Sequence, residues 1–202
     1  MKLKQTVIAT LLAAALAIPL AGCTGDNFAK VEQGRVIAYD EAKGEVTVIH
    51  DSAMDAQNPV YDVLPPVVFK LPTDKSETGP LPKAGQRLKL DVKKGAEEIY
   101  IFDAVAQKLA HIPLQNVDVQ MPVEKNSPLV KDKEFPIIDK EKQTITIYSS
   151  RQKMLCTFGL PAEYADYPPS TWSAGDEVRF TYKEEGQMIR FMNISQTDIY
   201  KK

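Results

Sequence analysis

Four side chains in this sequence could do thiol or imidazole chemistry near neutral pH: Cys23, Cys156, His50 and His111. A thiol can be alkylated, oxidised or bound to a metal, and an imidazole can move a proton or hold a metal. What each one does depends on its neighbours. His50-Asp51-Ser52 contains the three residue types of a hydrolase triad. Adjacent strand residues, however, point to opposite faces, whereas a triad converges from separate elements. The segment therefore reads as the end of a hairpin, and no catalytic residue is predicted. His111 lies in a proline-containing stretch, and neither histidine has a cysteine or acidic partner at ligand spacing, so no metal site and no cofactor is predicted. Cys156 falls between Met154 and Phe158 on one face of a predicted strand, the setting of a small buried hydrophobe. A redox role or intermolecular pairing is the alternative. The acidic residues are scattered through turns and polar faces, with neither EF-hand nor paired-carboxylate spacing.

Cys23 is different, because its neighbourhood is specific. Lys2 and Lys4 form a basic start, Val7 to Ile18 is apolar and uncharged, and Pro19 leads into Leu20-Ala21-Gly22-Cys23. This is a secretory signal layout, too short for a comfortable membrane span. The last four residues resemble the lipobox of bacterial lipoproteins, in which Leu20, Ala21 and Gly22 would be read by the lipoprotein signal peptidase. The resemblance implies a diacylglycerol on the Cys23 thiol through a thioether, cleavage before Cys23, and acylation of the new amino group. Serine cannot form that thioether. A plain cleaved signal with an incidental cysteine is the alternative. One acyl chain holds a protein only marginally, whereas two or three anchor it stably without a spanning helix. Thr24 stands where an aspartate would favour inner-membrane retention, so in a double-membraned cell the resemblance favours the outer membrane, with the protein facing the periplasm.

Subtracting residues 1–22 leaves 180 of the 202 residues, with 23 basic groups against 27 acidic ones, since only Lys2 and Lys4 are lost. An acidic balance disfavours a nucleic-acid partner.

The remaining chain repeats itself. Asp40 to Val48 aligns without a gap on Asp139 to Ile147, each a charged turn leading into a β-branched alternating run. Phe69-Lys-Leu-Pro72 matches Phe158-Gly-Leu-Pro161, and Ala84-Gly85 through Val92 matches Ala174-Gly175 through Tyr182. Glu98 to Phe102 has its counterpart in Met188 to Met192. Alternating strands resemble one another by chance, but the shared order and spacing favour an internal duplication. Apolar and polar residues alternate with period two, and the only helical candidates, Asp103 to Ala110 and Ala162 to Tyr167, are short. The expected fold is all-β, two tandem small antiparallel β-barrels, OB-like or SH3-like, with a shared sandwich as the alternative. The expected domains are a signal peptide over 1–22, a lipidated tether over 23–33, barrels over 34–110 and 135–202, and a linker over 111–134. Val117, Val119 and Met121 alternate within that linker as in an edge strand.

One insertion distinguishes the halves. After Pro161 the chain carries Tyr164, Tyr167 and Trp172 beside prolines, while the counterpart after Pro72 has no aromatic residue. Such a loop suits recognition of a partner or a sugar face, and the alternative is that Trp172 and one tyrosine plug a barrel end.

A lipobox followed by duplicated β-structure resembles an uncharacterised domain-of-unknown-function family of lipoproteins from sulfate-reducing bacteria. The resemblance implies no activity and no site. The expected function is therefore that of a non-enzymatic binding or assembly module on a lipid anchor, with the membrane and an envelope protein or saccharide as partners. A periplasmic saccharide- or peptide-binding protein is the runner-up, and an enzyme of unrecognised type stands third.

Overall fold

The computed structural model describes residues 28–55, 58–95 and 97–197. Residues 1–22, read above as a signal and ending in Leu20 to Gly22, and Cys23 lie outside the described residues. The fold is all-β. Its strands are β1 (Lys30–Asp40), β2 (Glu45–His50), β3 (Val67–Lys70), β4 (Arg87–Asp91), β5 (Glu98–Asp103) and β6 (Lys108–Pro113), then β7 (Gln115–Gln120), β8 (Ile137–Asp139), β9 (Thr144–Ser149), β10 (Met154–Gly159), β11 (Glu177–Tyr182) and β12 (Met188–Asn193). Among the described residues, helix is confined to a single turn, α1 (Pro169–Trp172), and two 3-10 turns at Lys75–Glu77 and Ala162–Tyr164. No helix among the described residues is long and apolar enough to cross a membrane.

Three antiparallel sheets are formed, with strand orders β12-β11-β1-β2-β3, β7-β10-β9-β8 and β4-β5-β6. The five-stranded sheet joins the two halves of the chain, because β1 pairs with β11 over six residues, from Lys30 opposite Tyr182 to Arg35 opposite Glu177. Each half was expected to keep its strands to itself. Instead, three strands of the first half share a sheet and a core with the last two strands of the second. Parallel bridges, Lys70 to Gln187 and Thr78 to Phe191, run from β3 and the segment after it to the start and middle of β12. They link the two ends of this sheet.

Alternation explains the cores. Val36, Val46, Val48, Phe69, Val178, Phe180 and Phe191 fill the interior of the five-stranded sheet. Leu90, Ile99 and Ile101 pack with Ile145, Ile147, Met154, Phe158 and Trp172, again mixing the halves. Alternation puts Ile37 on the face opposite Val36, where it meets Ile49, Leu88 and Phe102, and a bulge between Val36 and Ala38 then returns Tyr39 to the Val36 face. That third cluster seats the sheet β4-β5-β6 against β1 and β2.

The chain crosses itself at the two Ala-Gly pairs. Val36 donates its N–H to the carbonyl of Asp176 (3.0 Å) and accepts at its own carbonyl from Gly85 (3.1 Å). A Cβ on Gly175 would lie 1.8 Å from the Val36 carbonyl oxygen, and one on Gly85 would lie 2.3 Å from that of Ser173. Backbone approaches this close require glycine.

Three hairpin turns use one device. Asp40, Asp103 and Asp139 each accept backbone N–H bonds from residues two or three positions on, at 2.9 to 3.1 Å. Four residues after each aspartate comes a residue with left-handed backbone: Gly44 (φ 64°), Gln107 (φ 51°) and Gln143 (φ 52°). The hydrogen bonds hold all three carboxyls below the usual range, chiefly through the Lys43 side chain at Asp40 and through the N–H groups of Ala106 and Lys142 at the other two. The stretch Asp103 to Ala110, a helix candidate in sequence, is thus a turn running into β6. β6 crosses the expected boundary at residue 110, and β7 within the expected linker is the edge strand beside β10.

Candidate functional site

A shallow cavity of about 260 Å³ lies between loop residues Pro59 to Asp62 and the face of the sheet β4-β5-β6 turned away from Ile99. Its apolar lining comes from Leu88 and Leu109. Polar groups stand at its rim. The rings of Tyr100 and His111 meet with centroids 4.0 Å apart, and the Lys89 ammonium sits 5.5 Å from the Tyr100 centroid. Tyr100 donates its hydroxyl to Glu98, and the other oxygen of that carboxylate is 3.7 Å from Nδ1 of His111. Donation to Glu98 pushes the Tyr100 hydroxyl up to about 12, so this phenol stays protonated near neutral pH.

Buried hydrogen bonds hold the loop over this cavity. Asp51, 2% exposed, accepts from the N–H of Val60 (2.8 Å) and of Ala53 (3.1 Å) and from Nε2 of Gln33 (3.0 Å). Tyr61 donates to Glu177 and accepts from Nε of Arg35 at 3.1 Å. Arg35 in turn bonds Glu177 through Nη2 at 3.2 Å, and Gln33 bonds the same carboxylate at 3.1 Å. Burial is the main cause that raises the Tyr61 hydroxyl well above the ordinary tyrosine range. Arg87 lies beside this network and donates to the Trp172 carbonyl at 2.9 Å, and burial lowers its guanidinium to about 10.

The residues of the triad-like run diverge. Nδ1 of His50 faces Glu32 at 2.6 Å, Asp51 bonds the loop, and Ser52 donates to Asp62 at 2.8 Å. No common reacting position exists among them. No group of three or more His, Cys, Asp or Glu among the described residues is placed to hold a metal ion. Cys156 is buried and free, and burial raises its thiol to about 11.

The aromatic insertion is brought together, but not as one surface. Tyr164 and Tyr167 meet edge to face at 5.4 Å, and Tyr167 lies 6.2 Å from Trp172. Trp172 is 1% exposed and belongs to the core with Phe158 and Cys156, and it also lines a second cavity. Of the three candidate surface residues it is the one that α1 turns inward. Tyr167 is half-buried and donates to Asp103 at 3.0 Å. Tyr164 lines the second cavity, about 180 Å³, with Ile138, Leu160 and Asp166.

Sequence reading missed the Tyr100 and His111 site. The available signal was the outward phase of β5, where Glu98 and Tyr100 alternate with Ile99 and Ile101. Reading His111 as linker hid its pairing opposite Tyr100.

A family model described as Domain of unknown function (DUF4881) matches residues 27–202. Neither a curated protein nor a solved structure matches the chain.

Proposed function

Because the chain belongs to the DUF4881 family of domains of unknown function, whose description names no activity, we propose from its own residues that it is a lipid-anchored envelope lipoprotein acting as a non-enzymatic binding or assembly module. The observation that carries this reading is the complete signal ending in Leu20-Ala21-Gly22-Cys23, with the first strand starting only seven residues later at Lys30. Diacylglycerol and N-acyl chains on Cys23 hold the domain at the membrane, and Thr24 favours the outer one in a double-membraned cell. The aromatic and charged rim over Leu88 and Leu109 supports binding of a small ligand with one flat apolar face. That favours a saccharide or peptide ligand as the second reading.

We further infer that the architecture is a duplication in which two OB-like units exchange their last two strands. Matching turns before β2 and β9 support this reading, as do the strand order of the five-stranded sheet and the bridges between its two ends. The Ala-Gly pairs meet where the exchanged segments cross.

Cys23→Ser tests the anchor. The expected outcome is an uncleaved precursor that leaves the detergent phase. An unmodified amino terminus in the mass spectrum of the mature wild-type protein overturns the reading.

A further inference from the structure

Of the 14 large hydrophobic residues exposed on the described surface, seven fall in two short segments, 28–31 and 54–68. Five of them are Phe28, Val31, Met54, Val63 and Leu64, each 40% to 77% exposed. Isolated apolar residues on a surface need no explanation, but a concentration of this kind marks a contact.

Topology puts both segments at one end of the five-stranded sheet. β1 enters there at Lys30, opposite the last residue of β11. β2 ends there at His50, opposite Gly34, and β3 begins opposite Val48, so the loop from 51 to 66 leaves and rejoins the sheet at the end where the chain comes in. Cys23 is seven residues before Lys30, which bounds its distance from that end to about 25 Å of extended chain. A lipid surface holding Cys23 therefore lies within reach of the 51–66 loop.

We propose that this end of the sheet, with Val63 and Leu64 at the loop and Phe28 and Val31 beside the tether, seats on the lipid surface itself. The inference rests on the anchor reading given above. Charges at this end are mixed. Lys30 and Lys183 stand against Asp62, Glu184 and Glu185, so contact is made by apolar side chains and not by attraction to anionic lipid. The anchor supplies proximity, the apolar loop supplies orientation, and the cavity between the loop and Tyr100 is then presented at a fixed height above the bilayer.

The test places an environment-sensitive fluorophore by Leu64→Cys in the full chain, with Met121→Cys as the control on the four-stranded sheet. Both replace exposed side chains, and the native thiols do not compete, since Cys156 is buried and Cys23 is a thioether in the proposed form. Purified protein is reconstituted in phosphatidylethanolamine and phosphatidylglycerol vesicles that carry lipid spin-labelled in its acyl chains. The expected result is loss of fluorescence at position 64 and none at 121, unchanged by added salt. No loss at 64, or equal loss at both positions, overturns the proposal. The mass of the amino-terminal peptide from the same preparation reports the anchor separately. If Cys23 carries no lipid, the anchor reading fails, and the same two positions are then labelled on a Cys23→Ala background with vesicles simply added, so that quenching at position 64 and not at 121 still upholds the surface and its absence overturns it.

Discussion

Truncating Trp172 to alanine isolates the indole, because the contact Arg87 makes at this residue is to its main-chain carbonyl and survives the change. The indole is 1% exposed and packs in the cluster with Ile99, Ile101, Ile147 and Phe158, which draws on both halves of the chain. A buried tryptophan removes about 150 to 250 Å² from water. At about 25 cal/mol/Å² this amounts to ~4 to 6 kcal/mol, an upper figure because unfolded chains are partly compact. Core tryptophan deletions cost about 3 to 5 kcal/mol, and for a chain of this size each kcal/mol lowers Tm by about 2 to 4 °C. Trp172→Ala should therefore melt at least about 6 °C below wild type by far-UV circular dichroism, with a matching fall in urea midpoint. Trp172 is the sole tryptophan, so wild-type emission should be blue-shifted and move to the red in the same transition. A loss under about 1 kcal/mol would refute the placement of the indole in the core and return it to the surface.

Cys156 should resist a bulky thiol reagent in the native protein and react on unfolding, and Cys156→Ala should cost of order 1 kcal/mol by denaturant titration. Its folded value is raised to about 11, so the stability it contributes is present below the unfolded thiol value and is lost as pH climbs toward 11; an equally fast native reaction contradicts this. Gly175→Ala should destabilise by about 3 kcal/mol or more, since its Cβ would overlap the Val36 carbonyl, and a wild-type melt would show that β1 does not cross there. Residues 28–134 made without the second half should give no cooperative melt, because β1 would lose its β11 partner. A sharp two-state transition of that fragment would show that the first half completes its own core.

Much of the strand plan was legible because period-two alternation survives in β2, β4, β5, β9, β11 and β12, where one face is buried. Partner choice was not legible. Val36 and Val178 look alike whether β1 pairs within its own half or across to β11, since both arrangements bury the same faces. The close approach of Gly85 and Gly175 decides it, and a repeated Ala-Gly pair does not announce which backbone it meets. Asp103 to Ala110 misled because an Asp-initiated hairpin turn and a helix start share the same capping chemistry. At the aromatic insertion the residue types were informative and the direction was not: Pro169 opens a one-turn helix that drives Trp172 inward while Tyr164 stays at a cavity rim. His111 and Tyr100 became a site only through the register of β5 against β6.

The pairing of β1 with β11 also dictates an order of events during synthesis. Tyr182 donates its hydroxyl to Glu32 at 2.5 Å across 150 residues of sequence. β1 lacks its neighbour on one side until residues 177–182, some 150 positions later, have left the ribosome. Contacts of such long range slow folding, and for a chain carrying the export signal proposed above, slowness is useful. A polypeptide that cannot close its first sheet before residue 182 stays threadable through a translocation pore, and it folds once its last two strands have followed.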